Sequence, residues 1–248
     1  MSRIRQLVYL SEVVLQSGGL RALATWKPFS ITAFRMLNAL RASGLEFQTI
    51  IDGGANKGQF ARAATEIYPN ARIHAFEPLP DVAEALRGNL ADRRQVTVHQ
   101  TALGPTDGTI TFYRQDYSLA SSALRPTGPT RGTPIEVPVA RLDSILHGEA
   151  LARPVLLKLD LQGFEIEAMK GGPKVLEQSD YALLETAFVT GYEGEPGFNE
   201  VAAFMEGAGF EFVRPVDVLT ERSGEIVQMD ALFRKRTAPS LGAPADSR

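Results

Sequence analysis

The sequence predicts an α/β fold, a parallel sheet with helices on both of its faces. Three observations carry this. Short apolar runs such as "TIID", "ARIHAFEP", "PVLLKLD" and "YALLET" alternate with stretches of helical periodicity. A glycine-rich turn, "DGGANKG", follows the first of these runs, which is where open parallel sheets place a ligand. The chain has 248 residues, 44% hydrophobic and 22% charged, enough to bury a core as one large domain with additions.

Residues 1–47 read as an N-terminal helical extension. "MSRIRQLVYLSEVVLQSGG" is an amphipathic helix with Ile4, Leu7, Val8 and Leu15 on one side. Ser11, Glu12 and Gln16 interrupt its apolar run and no small-residue cleavage site follows, so it does not read as a signal peptide. Its apolar side suits packing on the domain or on a partner subunit, a route to a homo-oligomer through the N-terminal helices. After Pro28 the helix "SITAFRMLNALRASG" has Ser30 as N-cap and Gly44 as stop.

The main domain spans 48–236. Strand "TIID" leads to helix "KGQFARAATEIY", strand "ARIHAFEP", a helix capped by Asp81, and a third strand, "VTVHQTAL". Residues 104–140 are rich in Gly, Pro, Ser and Thr and hold two strand-like pieces, an inserted hairpin with a functional loop. The α/β alternation then resumes with "PVLLKLD", two short helices, "YALLET" and helix "NEVAAFMEGAG". "FEFVRPVDVLTERSGEIVQMDALFRK" reads as two antiparallel strands around "RSGE". Residues 237–248 carry too few apolar groups to order themselves.

A net charge of −3 gives no basic excess for nucleic acid. No run approaches the ~20 apolar residues of a membrane span. The absence of Cys excludes disulfides, thiolate catalysis and zinc-thiolate sites, and permits a cytoplasmic location.

The turn Asp52–Gly58 allows two ligands. Gly53-x-Ala55-x-x-Gly58 has the loose form of a dinucleotide fingerprint, and Glu77 stands where a ribose-binding acid is expected. Asp52 separates the cases. A pyrophosphate beside it would meet a like charge, whereas S-adenosylmethionine brings an ammonium and a sulfonium. The bland reading is that Asp52 only caps the next helix. A nicotinamide-dependent oxidoreductase and a non-catalytic adenosine-ligand-binding protein stand as alternatives to a methyltransferase.

The chain resembles S-adenosylmethionine-dependent methyltransferases of the FkbM type. The resemblance rests on "IIDGGANKGQF", "HAFEPLP", "TALG", "SSAL", "RLDS" and "LLKLDLQGFEIEAMKGG", in that order. It implies a Rossmann-like seven-stranded methyltransferase sheet with one antiparallel strand near the end. It places Gly54, Asn56 and Gly58 at the cofactor's methionine and ribose, Glu77 on the ribose hydroxyls, and Thr101 and Ala102 by the adenine. The chain departs from the pattern at Gly53, where an aliphatic residue is common, and at Gln162, where a Glu is often found.

Lys158 and Asp160 share one face of "PVLLKLD", and a Lys in an apolar strand needs a partner, for which Asp160 is the natural choice. Glu165 lies just inside the next helix, where the dipole favours an acid. Glu185 ends "YALLE" and should point into the same crevice. Asp160, Lys158 and Glu185 are thus the candidate catalytic residues, for taking the proton of a hydroxyl as it attacks. Mg²⁺ on several acids is conceivable but not favoured, because no Asp-Asp pair follows the strand. His74 and His99 fall inside strands as packing residues, and His147 is solvated. Tyr113, Arg114, Tyr117 and Arg125 in the insert can reach a polar acceptor. The expected activity is O-methylation of a hydroxyl on a small molecule or glycan, with residues 104–140 as wall or lid over the acceptor.

Overall fold

The computed structural model describes residues 30–129 and 132–238. The predicted helix carrying Ile4, Leu7, Val8 and Leu15, and all but the first two residues of the 237–248 tail, lie outside that range. Helix α1, Ile31–Ala42, opens the described chain, with the Ser30 hydroxyl accepting from Ala33 N–H at 3.2 Å. Gly44 follows its end in the left-handed region, as expected of a helix stop.

Then come β1 (Thr49–Gly53), α2 (Gln59–Ile67), β2 (Arg72–Phe76), α3 (Pro80–Asn89) and β3 (Val96–His99). β4 (Ala102–Leu103) leads into the insert, which holds β5 (Gly108–Arg114), a 3-10 turn (Ser118–Ala120) and β6 (Thr133–Ala140). After these run α4 (Leu142–Ile145), β7 (Val155–Leu159), α5 (Glu165–Lys170), α6 (Pro173–Gln178), β8 (Tyr181–Ala187), α7 (Phe198–Gly207), β9 (Phe210–Thr220) and β10 (Ile226–Lys235).

Seven strands form one sheet in the order β3-β2-β1-β7-β8-β10-β9, with β10 antiparallel to both neighbours and the other adjacent pairs parallel. This is the expected sheet with its one reversed strand. The central strands β1 and β7 are buried along their whole length, as parallel strands covered on both faces must be. Pro215 sits on β9, at the sheet edge, where a missing N–H is tolerated.

Alternation along the strands sorts the core into two layers. Ile50, Ile73, Leu156, Leu183 and Leu232 face α1 and α2, whereas Ile51, Leu157, Leu184 and Phe233 pack on the other side. Helix α1 therefore packs on the domain, contributing Phe34, Leu37 and Leu40 to the first layer. The stretch "VTVHQTAL" is not one strand. It breaks after His99, and Ala102–Leu103 pairs in parallel with β6 in a separate three-stranded sheet, β4-β6-β5. The insert is thereby anchored to the domain at the carboxyl ends of β1 and β2.

Candidate active site

The chain reverses sharply after β1. Gly54 has φ 74°, and a Cβ there would lie 1.9 Å from the Asp160 carbonyl oxygen. Only glycine lets the two strand ends approach this closely. Asn56 also adopts the left-handed region, at φ 48°. Its N–H donates to Glu77 Oε2 at 3.0 Å and its Nδ2 to Ser118 Oγ at 2.9 Å. Gly58, at φ 93°, starts α2 against Leu86 of α3 and Leu90 just beyond it, where a Cβ would lie 2.8 Å from Leu86 Cδ1.

Glu77 follows β2 and is buried. Its other oxygen accepts from Leu79 N–H at 2.9 Å. Burial pushes the carboxyl up to about 7, against the opposing pull of those two N–H bonds. Each oxygen keeps a lone pair for a ligand hydroxyl.

Glu77, Gly54, Asn56, Thr101 and Ala102 line one cleft, walled by Phe76, Leu103, Phe112 and Phe164 and, from the insert, by Ser118, Leu119 and Ser121. Of the expected cofactor residues, Gly58 and Asp52 do not line it. Gly58 is a backbone requirement of the turn. Asp52 is fully buried, and Lys158 lies across it, Nζ 3.0 Å from Oδ1. The expected partner of Lys158, Asp160, is farther, at 3.9 Å. The pairing follows from register: Asp52 and Lys158 are opposite residues of β1 and β7. Lys158 Nζ also donates to the Gly53 carbonyl at 3.2 Å. Burial raises the Asp52 carboxyl, with Lys158 opposing. Burial alone would lower the Lys158 ammonium, but Asp52 and Asp160 outweigh it and raise it, so Lys158 stays cationic.

A second cleft opens on the α1 side of the sheet. It shares Gly54, Asn56, Leu119 and Asp160 with the first and adds Lys158, Glu185, Asp217 and Asp230. These acids form a row. Glu185 is opposite Asp230, and Asp230 opposite Asp217. The β7–β8 pairing, Leu159 with Leu184, sets Asp160 next to Glu185. Asp217 has Arg35 of α1 at 3.7 Å. Burial and then Asp160 raise Asp230 to about 7, and the same two causes hold Glu185 well above the usual carboxylate range. Gln162 Nε2 donates to Asp160 Oδ1 at 2.9 Å and to Glu185 Oε2 at 2.5 Å.

Glu165 is buried at the start of α5 and accepts from Leu161 N–H at 2.6 Å, and burial raises it to about 8. It braces the turn after β7. His74 and His99 stack 5.6 Å apart and line neither cleft; burial lowers His99 to about 4. In the insert, Arg114 is engaged by Asp81 through two bonds, of 2.9 and 2.6 Å, and Arg125 lies 5.7 Å from the Tyr113 ring. Tyr117 is 68% exposed and lines the second cleft. The insert thus walls both clefts.

Sequence reasoning missed Asp217, Asp230 and the bridging role of Gln162. A polar residue within the apolar run "VQMDALF" was the available signal for Asp230. Among the described residues no group of three or more His, Asp or Glu side chains is arranged to hold a metal ion.

The first cleft fits S-adenosylmethionine better than a dinucleotide. It presents Glu77 with free lone pairs among apolar walls and Asp160 at its junction with the second cleft, and no Lys or Arg lines it to meet a pyrophosphate. Comparison with known proteins agrees. Residues 52–212 match the Methyltransferase FkbM domain. The chain is 26% identical over 182 residues to 2-O-methyltransferase NoeI of Sinorhizobium fredii, covering 64% of this chain and 75% of that protein. It is 28% identical over 199 residues to 31-O-demethyl-FK506 methyltransferase FkbM of Streptomyces tacrolimicus, covering 68% and 75%. Among solved structures, magnesium protoporphyrin IX methyltransferase of Synechocystis PCC 6803 superposes with a TM-score of 0.48 at 13% identity, over 82% of this chain and 78% of that one. The chain belongs to the FkbM family of S-adenosylmethionine-dependent methyltransferases.

Proposed function

We propose that this methyltransferase acts on a hydroxyl oxygen of a small molecule or glycan, held in the acid-lined cleft. The observation that carries the reading is the position of Asp160, which lines both clefts where they meet. The names of the relatives, a 2-O-methyltransferase and a methyltransferase of 31-O-demethyl-FK506, support oxygen as the acceptor atom. A further relative, at 26% identity over 142 residues, is the hexuronic acid methyltransferase AglP of Haloferax volcanii, which supports a sugar.

S-adenosylmethionine, when bound, supplies a methyl group on a sulfonium. Glu77 would hold its ribose hydroxyls, Gly54 and Asn56 the part next to the sulfur, and Thr101 and Ala102 the adenine. Asp160 orients the acceptor hydroxyl and takes its proton as oxygen attacks. Lys158, permanently charged, is no base. It neutralises Asp52 and ties the end of β7 to the turn after β1 through the Gly53 carbonyl. The phenyl and leucyl walls of the first cleft keep water from competing with the acceptor.

We assign proton transfer to Asp160 directly rather than through Mg²⁺, so EDTA should leave turnover unchanged. The test is methyl uptake from labelled S-adenosylmethionine by a panel of hydroxylated metabolites and sugars, with the product located by mass spectrometry. A methyl ether supports the reading. A methyl ester, N-methyl or C-methyl product contradicts it.

A further inference from the structure

We infer that Gln162 is a positioning residue that binds Asp160 and Glu185 into one carboxyl pair holding a single proton between them. The inference deepens the proposed role of Asp160 and rests on that reading only for what the pair does in catalysis.

The geometry is specific. One nitrogen, Gln162 Nε2, serves both acids, so the two carboxyl groups are near neighbours. Both N–H bonds of the amide are consumed there. The two acids at Nε2 orient the amide, and its Oε1 lies 3.0 Å from the Tyr192 hydroxyl, whose one proton is shared with the Ala120 carbonyl at 2.8 Å. Gln162 holds this position with φ 54°, a backbone region that a residue with a side chain adopts only at a cost. The Gln162 carbonyl in turn accepts from the Ser122 hydroxyl of the insert at 2.8 Å. Local preference is thus overruled to aim one side chain at two acids.

Two carboxylates so close cannot both ionise cheaply. Their surroundings share out the charge. Lys158 lies on the Asp160 side, its Nζ 3.9 Å from Oδ2. On β10, Asp230 is opposite Glu185, with Asp217 beyond it on β9 beside Arg35 of α1. Glu165 of α5, Asp52 of β1 beneath Lys158, and Tyr192 and Glu195 of the loop after β8 complete the ionisable groups around the pair. Burial and the nearby acids hold Glu185 high, so Glu185 carries the proton while Gln162 donates to its Oε2. A Glu in place of Gln162 would put a third acid at the same point, and a second proton would have to enter.

The test reads the protons directly. Infrared difference spectra at pH 7 between wild type and Glu185→Gln should show the loss of one protonated carboxyl band. Gln162→Glu should gain a protonated band and move the acid limb of kcat/KM upward by a pH unit or more. Its activity would then fall about tenfold at pH 6 and recover at high pH, which a merely structural defect would not do. Tyr192→Phe, which removes the hydroxyl shared by Gln162 Oε1 and the Ala120 carbonyl but keeps both acids, should shift the Glu185 band. Loss of only an ionised carboxylate band in Glu185→Gln, or an unmoved acid limb in Gln162→Glu, overturns the inference. Because the infrared arm needs no acceptor, it separates the pair from its role. If the bands behave as stated but Asp160→Asn keeps its turnover, the pair stands and the proposed proton transfer falls.

Discussion

The two clefts that meet at Asp160 are built by different means. The first is assembled almost locally. The turn after β1 and the end of β2 are joined by Asn56 N–H donating to the Glu77 carboxylate and by Gly54 and Ala55 N–H donating to the Phe76 carbonyl, and apolar side chains close the walls. Glu77 is the one carboxylate it does not share, and Asp160 stands where it meets the second cleft. The second is assembled across the sheet. Its acids come from β8, β9, β10 and the end of β7, brought into a row by register, with Lys158 at one end. The first cleft, with Glu77 as its own acid, suits a ligand held by shape and a few hydrogen bonds. The second adds Glu185, Asp217 and Asp230 to the shared Asp160 and suits protons and positive charge. On the proposed reading the contrast divides holding the cofactor from handling the acceptor's proton.

The largest effect that would break the contrast is on turnover. Asp160→Asn keeps the shape and the Gln162 contact but removes basicity, so kcat should drop by ~10²–10⁴-fold. Near-wild-type kcat would make Asp160 structural and leave Glu185 as the residue to examine.

The next effect is on stability and sharpens the division at Lys158. Lys158→Met leaves Asp52 buried without its cation, which should cost ~3–5 kcal/mol in urea unfolding. Combining it with Asp52→Asn should restore most of that loss, because no charge is then left buried. Equal loss in the single and double variants would show that Lys158 acts through the Gly53 carbonyl rather than through Asp52.

A smaller effect follows from the raised acids. Glu77 and Asp230, at about 7, and Glu165, at about 8, stand above their unfolded values. The folded state therefore binds more protons, and stability is lost as pH rises from the unfolded carboxylate range to about 8. The melting temperature of the ligand-free protein should fall from pH 5.5 to pH 8.5, and Glu165→Gln should reduce that fall by a few degrees, about 2–4 °C per kcal/mol at this size. A melting temperature that rises over the same interval in both proteins would contradict the burial argument.

The same contrast decides what the sequence made legible. The sheet, its reversed strand and the cofactor turn were readable because each is written in contiguous residues: apolar runs, "DGGANKG", and Glu77 just before Pro78. Asp160 was readable too, at the end of its run. Lys158 pairs with Asp160 as expected, but its closer partner, Asp52, was missed for a physical reason. Spacing along one strand offered Asp160 as its partner, whereas neighbour strands in register supplied Asp52, and register between β1 and β7 is not written in either segment. Asp217 and Asp230 were hidden for the same reason. Gln162 looked like the loss of an acid, and only its contacts showed what it holds. The break between His99 and Ala102 was invisible because both halves of "VTVHQTAL" have strand character, and they differ only in which sheet they join.

The most direct test of the division between the clefts is calorimetric titration of S-adenosylhomocysteine into wild type, Glu77→Ala and Asp160→Asn under one set of conditions. Glu77→Ala should lose ~1.5–3 kcal/mol of affinity, the scale of hydrogen bonds to a charged group, while Asp160→Asn binds within a few-fold of wild type. Wild-type affinity in Glu77→Ala beside a large loss in Asp160→Asn would contradict it.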